Sequence, residues 1–174
     1  AGETAARAVR SLDLSLQRFF VSAWQAALFN RVLARRLATC GELLAGDLAF
    51  LHRNGACFLV EELAREAPRA RAFEISPTGP LFGARMPRPQ GTPAALEEEV
   101  LAADGLDLDR LASAGKLAPS GERRALRCAL VEPAVEATPE GLRCSFALGP
   151  GSYATAVLSE LTKGAGAGAA LLPE

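Results

Sequence analysis

Three features of the 174-residue sequence predict an α+β fold. Residues 14–37 contain neither Gly nor Pro and repeat apolar side chains at helical spacing. Residues 142–148 alternate Leu, Cys, Phe and Leu with Arg, Ser and Ala, the period of a strand with one buried face. Between them, two apolar runs flank Asn54-Gly55, a dipeptide suited to the positive φ of a tight hairpin turn. A hydrophobic content of 49% allows one good core or two small ones.

Taken in order, the helix at 14–37 places Phe20, Trp24 and Leu28 on one stripe, widened by Val21 and Val32, and should be substantially buried. Arg31 and Arg35 share another face, either as a solvated edge or as partners of phosphate, which guanidinium forks suit. The runs 48–51 and 56–60 form the hairpin, with His52 as a solvated turn residue. A short helix at 61–66 should end at Pro68, followed by a strand at 72–75. Residues 76–83 should be loop, because two prolines and two glycines oppose regular structure. Thr92 as N-cap and Pro93 as first helical residue open the next helix, and Glu97, Glu98 and Glu99 sit near the positive end of its dipole. A short helix at 106–114 and strands at 124–132 and 142–148 follow. Ser152 then caps a helix at 153–162, and the Gly/Ala tail at 164–174 lacks a packing pattern and should be mobile.

The formal net charge of −1 excludes a uniformly basic protein, yet charge comes in blocks. Lys and Arg exceed Asp and Glu by six to two over residues 1–40, five to two over 65–90 and four to one over 116–128, but fall to one against six over 91–110. Arg85, Arg88, Arg123 and Arg124 lie in the basic blocks. The cysteines, Cys40, Cys57, Cys128 and Cys144, stand far apart with a single histidine, so buried free thiols are expected and no metal site. The turn Gly149-Pro150-Gly151-Ser152 joins a strand to a helix, as a phosphate cradle would. It nevertheless lacks the lysine of a P-loop and the third glycine of G-x-G-x-x-G, so no nucleotide cofactor is expected. Neither a membrane-spanning run nor a leader is visible, which makes a soluble cytoplasmic protein the expectation. The first residue is not methionine, and processing, trimming and excerption from a longer polypeptide all stay open.

In order along the chain, RFFVSAWQAALFNRVLARRL, LLAGDLAF, EISPTGPLFG, ALEEEVL, RALRC and FALGPGSYATAVLSELTK resemble the C-terminal half of the TruD family of tRNA pseudouridine synthases. The resemblance covers Arg18 to Lys163. It implies a mixed α/β inserted TRUD domain at 14–135, then a strand, turn and helix at 142–163 that return into a pseudouridine synthase catalytic domain. It also implies an isomerase that acts on a uridine of the tRNA D-stem region, uridine 13, extruded from its stack. The partners implied are tRNA and an absent N-terminal catalytic half, with no cofactor.

The family's catalytic aspartate lies in a Gly-x-Lys-Asp-like motif that this sequence lacks, so no catalytic residue is assigned. Asp47 matches a different family position. Ser159-Glu160 stands where relatives often carry Arg before the final Glu of the closing helix. Candidate RNA-contacting or pocket residues are Arg31, Arg35, Arg85, Arg88, Arg123, Arg124, Gly149, Gly151, Ser152 and Tyr153. The alternatives are a stand-alone RNA-binding module and a degenerate partner protein without catalysis.

Overall fold

The structure, a computed structural model, describes residues 5–149 and 151–162. Pro150 and the expected mobile tail lie outside the described residues. Contacts within the chain group it into two compact units, with the division between Arg127 and Cys128, whereas the expected first domain ran on to residue 135.

The first unit opens with α1 (Ala5–Ser11) and the long α2 (Leu14–Arg36). Asp13 caps α2 by accepting the Leu16 N–H at 3.0 Å, supplying a partner to an N–H that has none inside the helix. Only the C-terminal half of α2 is deeply buried, through Leu28, Phe29 and Val32. Phe20, expected in the buried stripe, is exposed, as is Phe19. The reason is that α4 and the sheet cover α2 only from about Trp24 onward.

A four-stranded antiparallel sheet runs in the order β2 (Cys57–Leu59), β1 (Leu48–Leu51), β3 (Ile75–Leu81), β4 (Glu122–Ala125). The hairpin expected around Asn54-Gly55 is β1–β2, with Gly55 at φ 75° and the Asn54 carboxamide accepting the Ala56 N–H. His52 is not a solvated turn residue. It is half-buried, stacked on Phe73 at 4.5 Å between ring centroids and 2.7 Å from the Ser76 hydroxyl. Burial, with the nearby Arg127 guanidinium second, lowers its pKa, so the neutral ring is favoured.

The largest departure from the sequence reading is β3. Residues 76–81, expected as loop, belong to a buried central strand. Prolines remove ladder donors, and here side-chain hydrogen bonds at Thr78 brace the strand between them. The Thr78 hydroxyl donates to the Leu48 carbonyl at 2.7 Å, while Arg123 donates to the Thr78 hydroxyl at 3.0 Å and carbonyl at 3.1 Å. Pro77 still accepts the Leu126 N–H at 2.9 Å. Gly79 is required by packing, since a Cβ there would stand 2.9 Å from the Phe29 ring and 3.0 Å from Leu126. Beyond the strand, Gly83 and Gly121 bring two backbones together so closely that a Cβ on Gly83 would lie 2.2 Å from the Gly121 nitrogen.

Helix α3 (Leu63–Arg71) continues through Pro68 instead of ending before it. The proline sacrifices one helical hydrogen bond, while Glu66 and Ala70 stay buried on the inner face. Residues 72–74, expected as strand, form the turn after α3, where Phe73 adopts φ 59°. Helix α4 (Gly91–Ala103) begins at Gly91 without a side-chain cap, so Thr92 is inside the helix and not its N-cap. The short α5 (Leu108–Ala112) is capped by Asp107. The core lies in two clusters. Leu28 and Val32 meet Phe82, Met86, Val100, Leu101 and Leu111 in one, and Leu43, Ala49, Val60, Ala70 and Ile75 form the other. Each fully buried aliphatic side chain contributes about 1.5–3 kcal/mol of transfer free energy.

A buried ion pair locks the end of α2 to the loop before β1. Arg36 donates to both oxygens of Asp47, at 3.0 and 3.1 Å, and to the Glu42 carbonyl at 2.9 Å, while Asp47 also accepts the Leu44 N–H. Asp47 is 1% exposed, which makes it a structural anchor with no access for a substrate.

The second unit consists of the hairpin β5 (Val131–Thr138) and β6 (Gly141–Ala147), followed by α6 (Ala154–Thr162). The expected strand 124–132 is split between β4 and β5, and β5 runs through Pro133 at a register irregularity between Val131 and Ala134. The strand expected at 142–148 is present, but Leu142 and Cys144 are exposed and not buried.

Candidate functional site

The structure divides the candidate arginines by what holds them. Arg31 bonds the Asp104 carboxylate, whose other oxygen accepts the Trp24 indole N–H at 2.8 Å. Arg31 and then Trp24 hold the Asp104 carboxyl below the usual aspartate range. Arg35 pairs with Glu99 at 2.7 Å, with both side chains exposed. Such a surface pair is worth about 0–1 kcal/mol and exchanges readily for another anion.

Arg123 is different. It is 5% exposed and donates to both Glu97 oxygens, at 2.8 and 2.7 Å, tying β4 to α4. Burial pushes the Glu97 carboxyl up, while Arg123 opposes the shift. With two further N–H groups on Thr78 and the side chain buried, Arg123 is a cross-brace of the fold that an external phosphate does not reach. The acidic triplet thus separates into three environments: Glu97 buried, Glu98 exposed and Glu99 on Arg35. Its first member is explained by the ion pair with Arg123 and not by the helix dipole.

Arg85 and Arg88 are exposed in the segment between β3 and α4, where the Arg85 N–H bonds the Ser120 carbonyl. Arg88 borders a groove of about 370 Å³ against α4 and α5 that also holds Glu97, Glu98, Asp107 and Asp109. This groove is acidic on balance and does not favour a phosphate. Arg124 lies over the Phe29 ring, 5.5 Å from its centroid, and lines a second groove of about 740 Å³ with Arg18 and Lys116. Sequence reasoning passed over Arg18 and Lys116. The signal for the latter was the basic block at 116–128.

Gly149, Gly151, Ser152 and Tyr153 belong to the second unit. Gly151 has φ 80°, the Ser152 N–H bonds the Gly149 carbonyl at 3.2 Å, and Tyr153 is exposed. The turn is therefore closed by its own backbone. Cys40 and Cys57 are half-buried and Cys128 and Cys144 exposed, so the thiols are less sheltered than expected.

The aspartates have identifiable tasks. Asp13 and Asp107 cap helices, Asp47 is sealed against Arg36, and both oxygens of Asp104 are occupied. Asp109 is exposed in the first turn of α5. Asp104 is the one beside both an aromatic ring and a guanidinium, yet its lowered pKa makes it a weak base, and it lines neither groove.

A family model described as tRNA pseudouridine synthase D (TruD) matches residues 1–161. The chain is 52% identical over 163 residues to tRNA pseudouridine synthase D of Geobacter sulfurreducens, covering 94% of this chain and 40% of that protein. It is 45% identical over 150 residues to the Thermus thermophilus protein of the same name, covering 85% and 40%. A crystal structure described as tRNA pseudouridine synthase D from Methanosarcina mazei superposes with a TM-score of 0.74 at 26% identity, over 89% of this chain and 40% of that one. The chain thus spans about 40% of the length of the curated relatives it matches.

Proposed function

We propose a function on one premise: the chain belongs to the tRNA pseudouridine synthase D (TruD) family. It acts as the C-terminal portion of such a synthase, which isomerises uridine 13 of tRNA in the cytoplasm. In that assembly it supplies RNA-contacting surface and part of the pocket wall, and the catalytic carboxylate comes from the N-terminal portion that this stretch does not include. The carrying observation is the state of its aspartates. Four are bonded into caps and ion pairs, and Asp109 sits exposed on a five-residue helix. Asp104, although beside Trp24 and Arg31, has both oxygens bonded and lines neither groove, so none is placed for the glycosidic chemistry on an extruded uridine.

The second unit supports the same reading. Val135 and Leu142 on the hairpin, Tyr153 just before α6, and Leu158 and Leu161 on α6 are exposed, although the alternation in β6 is that of a strand with a covered face. The occupant proposed for this face is the part of the synthase outside the present chain, in keeping with the 40% coverage of the relatives.

The test is an assay for pseudouridine on unmodified tRNA. The chain alone should form none, and addition of an N-terminal portion carrying the Gly-x-Lys-Asp-like motif should restore turnover. Isomerisation by the 174-residue chain alone would refute the assignment.

A further inference from the structure

Carboxylates engage several arginines of the first unit. Arg31, Arg35, Arg36, Arg69 and Arg123 all have acidic partners. The side chains of Arg18 and Lys116 have no hydrogen-bonding or ionic partner among the described residues, and both residues are exposed. They converge on the groove of about 740 Å³ between the face of α2 that carries Arg18, Ser22 and Gln25 and the turn leading into β4. The spacing of four and seven residues puts these three side chains on one helix face.

Arg124 completes the lining, placed over Phe29, so the groove carries three cations against the single carboxylate of Glu122. Gln25 is held in place by its bond to the Phe82 carbonyl at 2.7 Å. Ser22 and Ser120 add exposed hydroxyls to the same walls. The side chains of Arg18 and Lys116, flanked by hydroxyl and amide groups in an open groove, are donors suited to phosphodiester oxygens, where each ionic contact also releases counterions. On the α4–α5 side, four carboxylates surround Arg88 and oppose such a ligand.

We infer that this groove, through Arg18, Lys116 and Arg124, is the phosphate-backbone track on which the RNA lies. The inference rests on the proposed function and deepens it by naming the contact surface. Arg31, Arg35 and Arg123 are secondary to it or outside it.

The experiment titrates an unmodified tRNA transcript into the chain by fluorescence anisotropy at several salt concentrations. Thermal melts check that each variant is folded. The charge-reversed R18E/K116E should bind at least about tenfold more weakly at low salt and flatten the plot of log K against log salt by about one to two. R53E, on the hairpin turn outside the groove, should stay within about twofold of the parent. If R18E/K116E fails to fold, R18Q/K116Q replaces it, with a smaller loss in the same direction. Unchanged affinity and slope in a folded groove variant, with the parent binding tRNA, would overturn the groove and leave the proposed function standing. No salt-dependent tRNA binding by the parent would remove the RNA role and the groove together.

Discussion

The two units of the chain treat their apolar side chains in opposite ways. In the first, Leu28, Ala49 and Ile75 are fully buried, and even its charged braces, Arg36–Asp47 and Arg123–Glu97, are sealed from water. In the second, Leu142 and Tyr153 are each 73% exposed and β5–β6 is a two-stranded ribbon. Isolated two-stranded ribbons are marginal in water. The two core clusters of the first unit are closed by its own residues, although Phe19, Phe20 and Leu37 are exposed, and the contrast supports the proposal that the alternation of β6 faces a neighbour outside this stretch.

Removing one member of a buried pair should break the contrast most strongly. Asp47→Ala or Glu97→Ala strands a buried guanidinium and should destabilise the first unit by about 3–5 kcal/mol, read by chemical denaturation. A cost below about 1 kcal/mol would show that these pairs are not sealed. Gly79→Ala comes next. Its Cβ meets Phe29 and Leu126, and the overpacking should cost about 1–3 kcal/mol in the same measurement. In the second unit, Leu142→Ser should change the stability of the chain by no more than about 0.5 kcal/mol, since the side chain is already in water. The same substitution in an intact synthase should cost much more, and equal small effects in both would remove the case for a covering neighbour.

The smallest effect is one of pH. Burial and Arg127 lower the His52 pKa, so the native state binds fewer protons than the unfolded state just below pH 6.5. Stability should therefore rise with pH up to about 6.5 and level off above it. His52→Asn should flatten that part of a melting-temperature profile, and a profile identical to the parent's would assign the slope to other groups.

The elements set by local chemistry were legible in the sequence. Absence of Gly and Pro marked α2, and Asn54-Gly55 marked the first hairpin, because backbone preference decides both. The reading of β3 as loop failed because what braces this proline-containing central strand is remote: Arg123 donates to Thr78 from 45 residues away. The same distance hid the fate of Arg123. As a basic residue in a basic block it looked available, and only the fold shows Glu97 beside it. Arg36 follows Leu28 and Val32 at four-residue spacing, so its burial was readable as the end of an apolar stripe. The groove around Arg18 and Lys116 joins segments almost a hundred residues apart and had only the charge block to announce one of its walls.

On the proposed reading, the second unit is a part awaiting its neighbour. Native-state hydrogen exchange of β5–β6 tests it most directly, compared between the 174-residue chain and the full-length Geobacter sulfurreducens relative. The corresponding β6 amides should exchange at least about a hundredfold faster in the chain than in the full-length protein. Equal, strong protection in both would contradict it.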